Sequence, residues 1–301
     1  RGEKLKLEEA KEELDLVDGG LRYDLTLPLA RYYANNAAVL PKPFKALQMG
    51  SVWRADRPQK GRFRQFVQCD IDILGEPSNL AEIELILATT TTLGKLGFSG
   101  FKVRINERRI LKAMAVYAGF AEDELDNVYI ILDKMDKIGK DGVKEDLIAN
   151  GFATDKVEKY MALFDGIETA ADGIAYLGET LADCLDPDVI KSLSEIKESV
   201  SSTVDTDFEI VFDPTLVRGM SYYTGTIFEI EMPQFGSSVA GGGRYDRMVG
   251  RFTGQDTPAC GFSIGFERII LLLMESGFKV PGAPERTAYL LEKGLPSDRL
   301  C

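Results

Sequence analysis

Histidine is absent from all 301 positions of the chain. Its absence excludes Ser-His-Asp triads, Cys-His pairs and metal sites built on imidazole. Any chemistry must therefore use carboxylates, arginines, tyrosines, a bound metal or the substrate itself. Because histidine is a rare residue, chance is the simplest explanation for its absence.

Cysteine is scarce, and long apolar runs are lacking. The cysteines stand far apart without a C-x-x-C pair, which argues against zinc or a disulfide scaffold and fits a reducing cytoplasm. They are Cys69, Cys184, Cys260 and Cys301. No apolar run approaches the roughly 18 residues of a membrane span, and the first residues form no apolar signal region. We therefore expect a cytoplasmic protein without a membrane partner.

Basic residues are underrepresented in one part of the chain only. The formal net charge is −12, from 36 Lys+Arg and 48 Asp+Glu. Residues 122–209 hold 23 of the acidic residues but only 8 of the basic ones, which leaves 25 acidic and 28 basic residues elsewhere. The chain outside this middle segment can therefore still bind a polyanion.

Five basic residues fall within eleven positions: Arg54, Arg57, Lys60, Arg62 and Arg64. Aromatic and apolar residues are interleaved with them, which a merely solvated run of charges would not require. Arginine binds phosphate through two parallel hydrogen bonds and stacks on aromatic rings. This segment therefore predicts a site for a phosphorylated, aromatic ligand.

Polar residues then alternate with apolar ones, at Gln68, Asp70 and Asp72. Such alternation is typical of a strand. Predicted strands over 44–54 and 63–74 flank the basic loop and form an antiparallel hairpin. The returning strand would offer its carboxylates to a second group.

The rest of the pattern mixes short strands with helices. The predicted strands are 21–26, 101–106, 207–213, 226–232, 237–240 and 259–264, and the predicted helices are 27–38, 79–96 and 265–274. From about 107 to 206, amphipathic helices separated by Gly and Asp turns replace this pattern. We therefore predict an α+β fold with a helical insertion.

Two glycine-rich blocks and a late arginine complete the candidate chemistry. Arg218 and adjacent tyrosines stand at a glycine-bounded turn before a predicted strand, and Gly241-Gly-Gly243 follows. Consecutive glycines let backbone approach a ligand closely, although a plain loop is an equally good reading of three glycines alone. Arg268 lies just inside an apolar helix, where burial requires an anion or a salt bridge to a nearby acid.

Together these blocks resemble the class II aminoacyl-tRNA synthetases, and specifically the histidyl-tRNA synthetase family. Five blocks occur in the order of that family over residues 20–278. They are the amino-acid-binding segment 21–28, the motif 2 hairpin 54–72, the two histidine-specific blocks 216–229 and 240–246, and motif 3 at 261–268.

The resemblance implies a six- or seven-stranded antiparallel sheet flanked by helices. It divides the chain into a catalytic domain in two parts, 1–106 and 207–278, a helical insertion domain, 107–206, and a linker, 279–301, that starts an anticodon-binding domain. It also implies a homodimer. The motif 1 segment and the anticodon-binding domain of the family are not recognisable here.

The resemblance further implies a ligase that uses ATP and Mg²⁺ to join histidine to tRNA(His). By motif position, Arg54 and Arg218 would be catalytic, on opposite sides of the α-phosphate of ATP. Arg62 and Arg268 would bind the β- and γ-phosphates. Asp56 would lie near the adenine and Phe66 would stack on it, while Glu267 would be structural, with assistance to Mg²⁺ as the lesser alternative and no metal ligand assigned.

The same resemblance implies the histidine-binding residues. Three would bind the amino group and carboxylate: Asp24, Thr26 and Gln68. Others would surround the imidazole: Asp72, Tyr223 and Tyr245, with Tyr222 as the close alternative. A carboxylate opposite a phenol suits a ring with one donor and one acceptor.

Two departures and two rival functions accompany this resemblance. Ser221 stands where the family usually has Asp, and Asp72 where some members carry the longer Glu. One rival is a silent, histidine-binding paralogue such as the regulatory subunit of ATP phosphoribosyltransferase, which tends to lose the arginines present here. The other is a generic ATP-dependent ligase, against which the two histidine-specific blocks argue.

Overall fold

The computed structural model describes residues 19–59, 61–203, 206–217 and 222–282. Within these residues a seven-stranded sheet has the order β1-β2-β7-β6-β5-β3-β4. Its strands are β1 (Phe44–Trp53), β2 (Gln65–Leu74), β3 (Phe101–Glu107), β4 (Phe208–Phe212), β5 (Thr226–Met232), β6 (Ser237–Arg244) and β7 (Ala259–Gly265).

All neighbouring strands pair antiparallel except β3 and β4, which are parallel. The predicted α+β fold is confirmed, but the sheet is mixed rather than wholly antiparallel. The long connection from β3 to β4 allows these two strands to run parallel, because a parallel pair needs a long crossover. Here that crossover is the helical segment.

Ten α-helices surround the described part of the sheet. They are α1 (Thr26–Asn36), α2 (Leu80–Lys95), α3 (Arg108–Ala118), α4 (Leu125–Leu132), α5 (Met135–Ala149), α6 (Thr154–Thr169), α7 (Gly173–Thr180), α8 (Pro187–Thr203), α9 (Arg247–Thr253) and α10 (Phe266–Glu275). The helices α3 to α8 lie between β3 and β4, where amphipathic helices were predicted. No helix in the described ranges is long and apolar enough to cross a membrane.

One hydrophobic cluster joins the sheet to the helical segment. Phe101 and Ile105 of β3 belong to the same buried cluster as Leu132 of α4 and Phe164 of α6. The core is therefore continuous across position 106, where the sequence suggested a boundary. The division into domains stays a prediction.

The predicted hairpin is confirmed, with β1 and β2 starting or ending one or two residues inside the predicted limits. Its register pairs Trp53 with Gln65 at the loop end and Phe44 with Leu74 at the other. On its second edge β2 pairs with β7, so that strand lies between two neighbours. Its alternate residues therefore point to the same face of a fixed surface.

The predicted strand 21–26 is wrong. A side-chain oxygen of Asp24 accepts the N–H of Leu27 at 3.1 Å, a bond typical of a helix start, and α1 already begins at Thr26. Among the described residues, the segment meets the sheet through one backbone bond, from the N–H of Trp53 to the carbonyl of Arg22 at 2.9 Å.

The three glycines at 241–243 lie inside β6 and not in a loop, so the predicted strand 237–240 was too short. A Cβ on Gly242 would clash with the carbonyl oxygen of Gly261 and lie 2.8 Å from the Cα of Phe262, and one on Gly243 would lie 2.6 Å from the carbonyl oxygen of Thr226. The neighbouring backbones approach too closely for a side chain, which is the reason for glycine in a buried strand.

Candidate functional site

A cavity of about 500 Å³ opens on the face of the sheet beside the hairpin. Every predicted site residue that the structure describes lines it: Asp24, Thr26, Arg54, Asp56, Arg62, Phe66, Gln68, Asp72, Tyr222, Tyr223, Tyr245 and Arg268. Arg218 and Ser221 lie outside the described residues. The sheet thus brings together residues from both ends of the sequence.

The cavity has two chemically different ends along β2. Six residues of extended strand separate Phe66 from Asp72, a span of roughly 20 Å. We call the part near Arg54, Arg62 and Arg268 the arginine end. The part near Asp70 and Asp72 is the carboxylate end.

Arg54 directly follows β1, and its backbone N–H continues the hairpin by donating to the carbonyl of Arg64 at 2.9 Å. Its guanidinium lies 4.4 Å from the ring centre of Tyr23 and 5.0 Å from that of Phe66. Its Nη2 also donates to Oε1 of Gln68 at 3.3 Å. No ion pair to Arg54 is found among the described residues, so aromatic rings and neutral oxygens orient its charge.

The other residues of the arginine end come from the hairpin loop and from α10. Arg62 is exposed. Arg268 is half-buried, and its Nε donates to the carbonyl of Gly61 at 3.1 Å while its Nη1 donates to the carbonyl of Ser238. Beside it, Glu267 Oε1 accepts the N–H of Val67 on β2 at 2.6 Å. Both α10 residues therefore hold the hairpin in place, and Arg268 also faces the cavity.

At the carboxylate end, Asp72 is almost completely buried, with 3% of its surface exposed. The hydroxyl of Tyr245 donates to Asp72 Oδ1 at 2.6 Å, whereas Oδ2 has no hydrogen-bond partner in the part of the chain described. Burial raises the pKa of Asp72 to about 7, an effect that the Tyr245 bond reduces, the charge of Asp70 increases and the nearby Gln48 side chain reduces. A buried polar atom is normally paired, so Oδ2 marks a position for a donor from a ligand.

Glycine makes room for this carboxylate. A Cβ on Gly261, in the strand next to β2, would collide with Oδ1 of Asp72. The Gly261 position in the motif 3 block therefore serves the carboxylate end, although the sequence offered it only as part of a strand-to-helix junction.

Gln68, Asp24 and Thr26 lie between the two ends. Gln68 is buried, and its Nε2 donates to Ser263 Oγ at 2.8 Å and to Asp70 Oδ1 at 3.4 Å. Asp24 and Thr26, at the start of α1, are half-buried in the cavity wall. Their oxygens are suited to bind a cationic amino group.

The tyrosines of the block 216–229 form the opposite wall. The rings of Tyr222 and Tyr223 are 4.3 Å apart at an interplanar angle of 50°. Both pack against the buried cluster of α1, α9 and β2 that contains Tyr245. The aromatic wall and the Asp72–Tyr245 pair thus belong to one packed unit.

Sequence reasoning gave Ser263 and Tyr23 no role and offered Asp70 only as one of the carboxylates of the returning strand, yet all three line the cavity. Asp70 is 2% exposed, and burial raises its pKa to about 6, against the bond that it accepts from Ser263. The alternation with Gln68 and Asp72 already indicated that Asp70 shares their face. Tyr23 and Ser263 carried no such signal, since each depends on a partner far away in the chain.

Arg244, in the other histidine-specific block, has a different environment from the cavity arginines. Its Nε and Nη2 each lie 2.6 Å from a carboxylate oxygen of Glu82 on α2, and both side chains are almost fully buried. The pairing raises the pKa of Arg244 above its ordinary value despite burial. This arginine therefore joins α2 to β6 and is not a cavity residue.

Comparisons with known proteins agree on one family. A family model described as histidyl-tRNA synthetase matches residues 12–269. The histidine–tRNA ligase of Leifsonia xyli subsp. xyli is 46% identical over 300 residues, covering 97% of this chain and 68% of that protein. The histidine–tRNA ligase of Aeropyrum pernix is 43% identical, covering 85% of this chain and 58% of that protein.

A solved structure supports the same relationship. The histidyl-tRNA synthetase of Nostoc sp. PCC 7120 is 30% identical with a TM-score of 0.73, covering 85% of this chain and 60% of that one. A Bacillus halodurans protein described as an ATP phosphoribosyltransferase regulatory subunit/histidyl-tRNA synthetase has a TM-score of 0.69 at 24% identity, which shows the fold alone.

The chain spans from about three fifths to about two thirds of the length of these relatives. The family match nevertheless covers most of its sequence, in agreement with the fold and with the grouping of the site residues. The chain belongs to the histidyl-tRNA synthetase family.

Proposed function

We propose that the full protein activates histidine with ATP to histidyl-adenylate and transfers the histidyl group to the 3′ end of tRNA(His). The observation that carries this proposal is that one cavity has a buried carboxylate at one end and arginines at the other. A buried carboxylate with an unpaired oxygen, Asp72, suits an imidazole N–H, and the arginines at the other end suit a triphosphate.

In the proposed adenylation, the carboxylate of histidine attacks the α-phosphorus of ATP and pyrophosphate leaves. The reacting groups are crowded with negative charge, so fixed cations beside the α-phosphate lower the barrier. Arg54 has this role on one side and Arg218 on the other. No protein base is needed, because a carboxylate is already ionised at neutral pH.

The remaining contacts with ATP are assigned to residues at the arginine end. Arg62 and Arg268 bind the β- and γ-phosphates, Phe66 stacks on the adenine, and Asp56 lies near that ring. Mg²⁺ bound together with ATP would supply neutralisation of the phosphate charge. Mg²⁺ usually takes one or two carboxylates together with phosphates, and the second oxygen of Glu267 fits such a role, with its first held by Val67.

Residues at the carboxylate end select histidine in this proposal. Asp72 Oδ2 accepts the imidazole N–H, Tyr245 orients Asp72, and Tyr223 or Tyr222 covers the ring. Asp24, Thr26 and Gln68 bind the amino group and carboxylate. A ligand without ring nitrogens would leave the buried Asp72 oxygen unpaired, which disfavours it strongly.

In the second step of the proposal, the 3′-terminal hydroxyl of tRNA attacks the adenylate, and a phosphate oxygen of the adenylate itself accepts the proton. A cytoplasmic location and a homodimer are part of the same proposal, on the ground of family membership. Sedimentation of the full-length protein tests the dimer.

The deciding experiment is histidine-dependent ATP–pyrophosphate exchange with the full-length protein. We expect exchange that depends on histidine, followed by charging of tRNA(His). Histidine binding without exchange above background would instead favour the regulatory paralogue. Loss of both would contradict the assignment of the carboxylate end.

A further inference from the structure

Asp70 occupies a central position in the cavity that the reaction as proposed does not use. It lies on β2 opposite Ser263 of β7 in the sheet register. The Ser263 hydroxyl donates to Asp70 Oδ1 at 2.5 Å, and Gln68 Nε2 donates to the same oxygen at 3.4 Å and to Ser263 Oγ at 2.8 Å. The buried Gln68 and Asp70 and the half-buried Ser263 thus form one small network.

The network fixes which way the Gln68 amide points. An amide has a donating nitrogen on one side and an accepting oxygen on the other, and the two ends are distinguished only by their partners. An ionised Asp70 only accepts, so Gln68 must turn its nitrogen toward Asp70 and its oxygen away. The opposite orientation would set oxygen against carboxylate.

The oxygen of Gln68 then faces the arginine end. Gln68 Oε1 accepts from Arg54 Nη2 at 3.3 Å. A flipped amide would instead present N–H groups to the guanidinium, which has no acceptor. The orientation chosen by Asp70 is therefore the only one that lets Gln68 hold Arg54.

We propose that Asp70, together with Ser263, is a positioning residue that orients the Gln68 amide and through it holds Arg54 at the α-phosphate. This inference rests on the proposed function and adds a link between the amino-acid subsite and the phosphate subsite. Asp70 itself touches neither reacting atom. Its loss should therefore lower kcat through Arg54, and the weaker binding of histidine that follows from its contact with Gln68 should be the smaller effect.

The test measures ATP–pyrophosphate exchange by the full-length protein carrying Asp70→Ala, Arg54→Ala or both. For Asp70→Ala we expect kcat to fall about 10- to 100-fold, the range for a modest misplacement of a reacting group, with a smaller rise in KM for histidine. In the Arg54→Ala background the same change should have little further effect, because residues acting through one another are not additive.

Glu107→Ala is the matched control. Glu107 is also a buried carboxylate, with 1% exposed, but it pairs with Arg109 at 2.9 Å and does not line the cavity. A merely structural loss should therefore combine additively with Arg54→Ala, in contrast to the loss of Asp70.

Conservative variants keep the test informative if Asp70→Ala does not fold. Asp70→Asn and Ser263→Ala preserve the shape of the network, and we expect an intermediate loss of kcat for both. In Asp70→Asn the reason is that Asn can accept or donate and so tolerates both orientations of the Gln68 amide. Additive effects of Asp70 and Arg54, or a raised KM for histidine with unchanged kcat, would overturn the proposal.

The failure of the proposed function would be distinguishable from the failure of this inference. Absence of exchange in the unmodified protein would refute the function. Calorimetry would then decide the inference, since the coupling between ATP and histidine binding should weaken in Asp70→Ala if the network exists and remain unchanged if it does not.

Discussion

The two ends of the cavity differ in how they hold charge. At the arginine end, Arg54 is half-buried between aromatic rings and Arg62 is exposed. At the carboxylate end, Asp70 and Asp72 are buried on β2, which lies between β1 and β7. Solvent screens the first group of charges but not the second.

This difference assigns different physical tasks to the two ends. A partly solvated arginine keeps its charge without cost and can follow a phosphate as bonds change. A buried carboxylate is costly until a donor arrives, so it discriminates strongly between ligands. In the proposed reaction, selection of histidine is therefore the task of the carboxylate end and transition-state stabilisation that of the arginine end.

Among the substitutions that test this difference between the two ends, Arg54→Ala should have the largest effect. Arg54→Ala should lower kcat for ATP–pyrophosphate exchange by about 100- to 1,000-fold, the usual loss for one oriented donor at developing charge. Arg57→Ala, which removes an exposed charge outside the cavity, is the control and should change kcat less than about twofold. Equal losses in both variants would mean that the loop acts only through its net charge.

A slightly smaller effect is expected at the opposite end. Asp72→Asn should raise the Kd for histidine about 100-fold, because a hydrogen bond to a buried charge contributes up to about 3 kcal/mol, while the Kd for ATP stays nearly constant. Calorimetry measures both constants, with Glu209→Gln, an exposed carboxylate on β4, as control. Parallel weakening of ATP would remove the distinction between the ends.

Although Asp72→Asn should weaken histidine binding, it should increase the free energy of unfolding. Folding raises the pKa of Asp72 from 3.8 to about 7, so its contribution to the free energy of unfolding is lost as the pH rises through 7. Asn removes this cost but weakens the bond from Tyr245, which leaves a net gain of about 2 kcal/mol at pH 8.

Urea unfolding without ligand measures this gain. Near pH 4 the advantage of Asp72→Asn should vanish, because Asp72 is then protonated in the folded state. A gain that is equal at pH 4 and pH 8 would show that the burial of charge is not its cause.

The smallest effect is expected from Arg62. Because this side chain is exposed, Arg62→Ala should raise KM for ATP only about threefold, and less at high salt, which screens exposed charges. Steady-state exchange at low and high potassium chloride measures this change. A salt-independent loss as large as that of Arg54→Ala would place Arg62 with Arg54 among the contacts made in the transition state.

Local patterns predicted the hairpin, because alternation along β2 determines which residues share a face, whereas most of the predicted residues that line the cavity followed from the resemblance to the family. What depended on distant neighbours escaped prediction. Asp70 acquires its role from Ser263, 193 residues later, and Arg244 finds Glu82 162 residues earlier. The extension of β6 through three glycines likewise reflects how closely the neighbouring backbones approach, a distance that no local pattern contains.

The unpaired oxygen of Asp72 is the proposed contact of the histidine ring, and nitrogen NMR spectroscopy of bound histidine would report on this contact. This chain has no imidazole of its own, so a bound histidine would contribute the only imidazole nitrogen resonances to its spectrum. Asp72, with a pKa of about 7, and a free imidazole, near 6.5, compete for a proton on nearly equal terms. Nitrogen chemical shifts would therefore report whether that proton resides on the ring or on the carboxylate, and hence whether the enzyme selects imidazole or imidazolium.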